Sequence, residues 1–154
     1  MKKSVRFVAG TALALVFVTV ATAQAPAPRP DRAIKYRQGV MGAQGWTMGP
    51  LAAMVKGERP YDKDLFLRNA TRVEQLLAMS WEAFPPGTDA GAPTKAKPEI
   101  WKEPAKFKQY QDETMAAAAK LVAAAKVGTL DAVKGPFGDL GKSCNNCHDD
   151  FQSK

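Results

Sequence analysis

Cysteine and histidine are nearly absent from this chain: its 154 residues include two cysteines and one histidine. Two thiols cannot make a disulfide-dense scaffold. One imidazole cannot serve both as a metal ligand and as a separate acid or base. Apolar runs are also scarce after residue 23, so no later segment reads as a membrane span. No segment shows sustained strand alternation, which excludes a β-sandwich or βαβ reading. Although the formal net charge is +7, no Lys/Arg cluster is interleaved with aromatic residues. A nucleic-acid partner is therefore not expected.

The scarce residues all lie in one place, Cys144-Asn145-Asn146-Cys147-His148. Cys-x-x-Cys-His is the attachment pattern of a c-type haem. On a helix, thiols at i and i+3 share a face, so both can add to vinyl groups on one side of a porphyrin. The imidazole at i+4 from Cys144 shares that face and can reach the iron. Two other readings compete. A thioredoxin-type redox pair opens a helix after a strand, and no such alternation precedes residue 144. A structural zinc site needs four protein ligands, and this run offers three with no second cluster elsewhere.

At the other end, Lys2, Lys3 and Arg6 precede the apolar run from Phe7 to Val20, and Ala21-Thr22-Ala23 supplies small residues for cleavage. Residues 1–23 are expected to be a signal peptide, with the mature chain beginning at Gln24. A cut after Ala25 would place Pro26 next to the scissile bond and is disfavoured. An uncleaved anchor would need a span of roughly 18–20 apolar residues, longer than this run. Export to the periplasm agrees with haem attachment, which takes place outside the cytoplasmic membrane. No membrane association is expected after cleavage. Removing the three signal-peptide cations lowers the charge from +7 to +4, a mild basicity compatible with an acidic redox partner.

Residues 24–30 read as an extended Ala/Pro tail, and 31–154 as one domain. Asp31 is expected to cap a first helix running to Lys56, with Gly57 as its stop and a kink near residues 46–50 at Pro50. Ile34, Met41, Met48 and Val55 form one apolar row, whereas the companion row carries Arg37 and Gln44 before Leu51. Those two polar groups need a partner. Asp62 caps a second helix to about Ser80, with Phe66, Ala70, Val73, Leu76 and Leu77 on its inner side. A long Gly/Pro-rich connection follows, broken by one helical turn near Pro98-Glu99-Ile100-Trp101, and is expected to cross the bundle end near the haem edge. Pro104 opens a third long helix whose inner side holds Phe107, Tyr110, Met115, Ala118, Leu121 and Ala125. After Gly128, Thr129 caps a fourth, with Pro136 set to separate or kink its first turn. The expected fold is all-α, an antiparallel four-helix bundle with covalently bound haem near the C-terminus.

These segments together resemble cytochrome c′, the class II c-type cytochromes, over essentially the whole chain after residue 23. The resemblance is carried by Tyr36-Arg37-Gln38 followed by Met41, by Lys56-Gly57 with Pro60-Tyr61-Asp62, and by Trp81 and Phe84 before Pro86-Gly87-Thr88. Lys97-Pro98-Glu99-Ile100-Trp101 and Cys144 to Phe151 complete it. It implies one haem c and its iron, thioether bonds at Cys144 and Cys147, and His148 as proximal ligand. It also implies that Arg37 and Gln38 lie against the haem and its propionates, where a basic fork and an amide suit carboxylates. Thr94 and Lys95 fall near a further haem-contacting position, and Trp81 and Phe84 join the cofactor-binding set. Where relatives commonly carry a cation four residues after the proximal histidine, this chain has Gln152, with Lys154 as an imperfect substitute. A homodimer is the usual state of the family.

Met41 matches the distal position. If it stands aside, the haem is high-spin and binds small gases such as nitric oxide and carbon monoxide, with an apolar lining that favours neutral diatomics, and it retains electron-transfer capability. If its thioether bonds the iron, the protein is a low-spin, six-coordinate electron carrier serving redox partner proteins. Catalysis is not expected, because peroxidase-like chemistry wants a distal acid or base and the one histidine is already used.

Overall fold

The computed structural model describes residues 29–154. The signal peptide read at 1–23 and most of the Ala/Pro tail lie outside the described residues. Five helices follow in order: α1 Pro30–Val55, α2 Lys63–Trp81, α3 Glu99–Lys102, α4 Pro104–Val127 and α5 Leu130–Phe151. The four long ones pack as a closed ring in which α1 meets α2, α2 meets α4, α4 meets α5 and α5 returns to α1.

Local chemistry sets most of the boundaries. Asp62 accepts the Leu65 amide at 2.9 Å, and Thr129 accepts the Ala132 amide at 3.4 Å, so both expected caps form. Gly57 and Gly128 leave the helix ends at φ +77° and +85°, a conformation that costs glycine little. The first helix departs from expectation. It begins two residues earlier, with Arg29 at the cap position and no side-chain cap bond, and Asp31 lies within the first turn. Pro30 explains the shift, since its ring presets the helical φ and it has no N–H to leave unpaired. Asp31 then faces the positive end of the helix dipole. Neither expected interruption splits its helix: α1 runs through Pro50, and α5 through Pro136. Each proline removes one backbone bond, while buried neighbours such as Leu51, Met54, Val133 and Leu140 hold the flanking turns in place.

The interior is divided along the bundle. Leu51, Met54, Phe66, Val73, Leu77, Leu121, Val133 and Leu140 fill the half near the two short connections. Full burial of each such side chain stabilises the fold by roughly 1.5–3 kcal/mol. At the other end Ile100, Phe107, Cys147 and Phe151 form a second cluster with Trp81, Phe84, Trp101 and Tyr110 around it. Phe107 is its hub, meeting Trp81, Phe84 and Phe151 edge-on with ring centroids 5.9, 5.1 and 5.3 Å away. Thus one end of the bundle is aliphatic, and the end that carries the Cys-x-x-Cys-His run is aromatic.

Candidate functional site

Cys144, Cys147 and His148 occupy the last two turns of α5, where the 3.6-residue period puts them on one face. Cys147 is buried, Cys144 half-buried and His148 solvent-accessible. Two cavities lie against this face, and Met41, Cys147 and His148 line both. They are two halves of one slot, with α1 contributing Met41 and α5 the thiols and imidazole. Arg37, Gln38, Phe84, Thr94 and Lys95 border the first half. Trp81 and Cys144 border the second. All ten residues singled out from the sequence therefore converge on one slot.

Arg37 resolves the polar row of α1. It is 2% exposed, and Nη1 donates to Thr88 Oγ1 at 3.1 Å and to the Ala83 carbonyl at 3.3 Å. Nη2 donates to the Thr88 carbonyl and to Thr94 Oγ1, both at 2.8 Å. The guanidinium also lies 5.0 Å from the Phe84 ring centre and 5.7 Å from that of Trp101. Burial lowers its pKa, with Asp89 opposing, yet a guanidinium stays charged at any physiological pH. This is a buried positive charge whose hydrogen-bond partners are neutral oxygens. Gln38, by contrast, is exposed, and its Nε2 donates to the Pro93 carbonyl at 2.9 Å. Both side chains tie the long connection to α1, so the loop does cross the bundle end as expected.

The same loop is pinned to the end of α5. The Lys97 amide donates to the Phe151 carbonyl at 2.9 Å and the Ser153 amide to the Lys95 carbonyl at 2.8 Å, pairing Ala96 with Gln152. Lys97 Nζ reaches the carbonyls of Asp149 and Asp150 at 3.1 and 3.0 Å, placing a cation on the negative end of the helix. Asp150 in turn accepts from Tyr110 at 2.7 Å and pairs with Lys106 at 2.8 Å. Gln152, Lys95, Lys97 and Lys154 all border a further cavity at His148. Lys97 is thus the amine bonded to the carbonyls beside the imidazole, a role the sequence did not suggest.

Burial pushes the Cys147 thiol up to about 11, with Cys144 and Asp150 adding to the rise. Burial raises Cys144 as well, against hydrogen bonds that lower it. The two sulfurs are unpaired, and no group of three or more His, Cys, Asp or Glu side chains forms a metal-binding cluster among the described residues. Neutral thiols in an aromatic-walled slot suit an apolar macrocycle and poorly suit thiolate ligation of zinc. A buried guanidinium with neutral partners also suits a group that brings its own carboxylates. The residues present therefore fit a haem.

Three lining residues were not anticipated: Gln44, Ser80 and Thr114. Ser80 and Thr114 are each 1% exposed, and Gln44 Nε2 donates to Ser80 Oγ. The lining is mainly apolar, and these three residues add polar atoms to the half that Trp81 and Cys144 border. The unpaired position of Gln44 on the inner row of α1 was its one sequence signal.

Comparison with known proteins agrees with this geometry. The family model described as Cytochrome C′ matches residues 32–152. Cytochrome c′ of Alcaligenes xylosoxydans xylosoxydans is 40% identical over 126 residues, covering 82% of this chain and 97% of the relative. Cytochrome c′ of Rubrivivax gelatinosus is 39% identical over 126 residues, with 82% and 98% covered. Its crystal structure superposes with a TM-score of 0.79 at 38% identity, covering 81% of this chain and 98% of that one. A nitric oxide complex of a mutant Alcaligenes xylosoxidans cytochrome c prime gives a TM-score of 0.77 at 40% identity, with 82% and 97% covered. Match along nearly all of the described helices, together with the thiol and imidazole face of α5, shows that the chain belongs to the cytochrome c′ family of non-catalytic haem proteins.

Proposed function

We propose that this chain carries one haem c on Cys144 and Cys147, with His148 as the proximal iron ligand, and binds nitric oxide or carbon monoxide on the Met41 side. The observation that carries this reading is that Met41 from α1 and Cys147 and His148 from α5 border both halves of one slot. Nitric oxide complexes of a relative 40% identical to this chain support the choice of ligand. When bound, the haem supplies an iron that takes a diatomic ligand. The chain's own part is to hold and shield it. Each thiol adds across a vinyl group, so that a C–S bond forms at one carbon and the thiol hydrogen goes to the other, with no external oxidant or reductant. Phe84 and Trp81 wall the slot with Phe107 packed against both, Arg37 provides a buried positive charge towards propionates, and Thr94 and Lys95 close the loop side.

The chain is exported with residues 1–23 removed, leaving the tail 24–30 and a periplasmic domain 31–154; the family's usual compartment supports this. It forms a homodimer through α1. Gly39, Gly42, Gly45 and Gly49 have open space where a side chain would begin, so they are not used for packing within the chain, and Trp46 beside them is 85% exposed. Mild basicity suits an acidic redox partner. A second reading, a low-spin carrier with Met41 as sixth ligand, draws on the same shared lining of Met41 and His148. The mass of the purified holoprotein tests attachment: Cys144→Ala and Cys147→Ala should each lose one thioether bond. The double variant should carry no covalent haem, and covalent haem in that variant would refute the assignment.

A further inference from the structure

Lys97 supplies a donor to each of the last three carbonyls of α5. Its amide donates to the Phe151 carbonyl at 2.9 Å, and its Nζ donates to those of Asp149 and Asp150 at 3.1 and 3.0 Å. A helix leaves its last carbonyls without partners of its own. The one before them, that of His148, accepts the Gln152 amide at 3.0 Å, so the turn that carries the imidazole is closed. The sequence explains how one residue covers so much of it. Pro98 disfavours helical backbone at the residue before it, so Lys97 stays extended and lies beside Gln152, itself extended at φ −119° and ψ 131°. From there the lysine stem reaches back from Phe151 to Asp149 and sets a point charge on the negative end of the helix. Lys97, Asp149 and His148 border one cavity of about 370 Å³, with Lys95, Gln152 and Lys154 also on its rim.

We infer that Lys97 is a positioning residue for His148: it closes the turn that carries the imidazole, and its charge favours the ferrous state of the iron that imidazole holds. The inference rests on the reading of His148 as proximal ligand and deepens it. Two contributions separate cleanly. The pairing of residues 95–97 with 151–153 is made by main-chain groups, which any side chain at 97 retains. The charge belongs to the ammonium alone. A positive charge beside the proximal ligand opposes the loss of an electron from the metal, and the groups around an axial ligand are among the levers that set a haem's potential. The Asp149 carboxylate acts with the opposite sign, and it stays in place whatever stands at 97.

The test uses holoprotein as the parent, Lys97→Arg and Lys97→Met, each titrated to its midpoint reduction potential, with thermal melts alongside. Arginine keeps the charge, and methionine keeps an unbranched stem without it. Lys97→Met is expected to lower the equilibrium constant for reduction about threefold, a fall of about 30 mV at 59 mV per tenfold for one electron, while Lys97→Arg stays near the parent. An unchanged potential in Lys97→Met would overturn the inference, and a lowered melting temperature beside it would leave Lys97 a helix cap alone. An equal fall in both variants would overturn it too, because arginine retains the charge. Failure of the reading beneath shows differently. A parent without covalent haem, or a His148→Ala variant whose haem spectrum matches the parent's, would remove the proximal ligand itself and the inference with it.

Discussion

Arg37 Nη2 donates to Thr94 Oγ1 at 2.8 Å, joining the first helix to a loop residue 57 positions later. With the two Thr88 contacts, this bond turns a buried charge into the anchor of the long connection. Removing the guanidinium leaves four acceptors of that connection, the Ala83 carbonyl included, without their donor. Arg37→Ala is expected to lower unfolding stability by about 2–4 kcal/mol. Arg37→Lys should recover only a small part, since a single ammonium cannot satisfy oxygens arranged for a fork. Denaturant melts of the three proteins measure this, and a loss under about 0.5 kcal/mol for Arg37→Ala would contradict the anchoring role.

Gly128 closes α4 at φ +85°, and a Cβ built there would lie 2.6 Å from Lys63 Cε. The lysine can swing away, but the backbone conformation cannot be relieved. Gly128→Ala should therefore destabilise by about 1 kcal/mol, read as a lowered melting temperature with the haem spectrum unchanged. Thr129→Ala, which removes the next helix's cap bond, should cost about the same.

Lys106 and then Tyr110 hold the Asp150 carboxylate below the ordinary aspartate range. A carboxylate depressed in the folded state contributes stability above its unfolded pKa and loses it as pH falls through the folded value. Asp150→Asn should thus flatten the acid limb of the stability curve and, because the Asp150 contact raises Lys106 and Tyr110, flatten the alkaline limb as well. An acid limb identical to that of the parent would show that the contact contributes nothing.

Trp46 and the glycines of α1 offer the proposed dimer face. Trp46→Arg is expected to convert a dimer into a monomer in sedimentation at micromolar concentration, with monomer stability changed by less than about 0.5 kcal/mol. A monomeric parent at that concentration would refute the dimer.

The fold was readable where its causes are local. Asp62, Thr129, Gly57, Gly128 and the Pro85-Pro86 stop are short-range signals, and each marks its boundary in the structure. The thiols and imidazole of α5 were readable because four residues of helix fix their common face. What escaped was long-range. Arg37 and Gln44 could be seen to lack a partner, but the residues that satisfy them, Thr88, Thr94 and Ser80, lie 51, 57 and 36 positions away. Thr114 carried no signal at all, since a single threonine in an Ala-rich helix reads as surface. The first cap lies at Arg29 rather than Asp31 because Pro30 is itself suited to the first helical position, and the helices run on through Pro50 and Pro136 because packing of the flanking turns offsets the lost backbone bond.

Visible absorption and electron paramagnetic resonance of the holoprotein, ferric and reduced, before and after carbon monoxide, test the central claim most directly. High-spin spectra in both oxidation states, with carbon monoxide bound readily by the reduced form, are the expected result for Met41 standing aside. Low-spin spectra that turn high-spin on Met41→Leu would contradict it and make the protein a six-coordinate electron carrier.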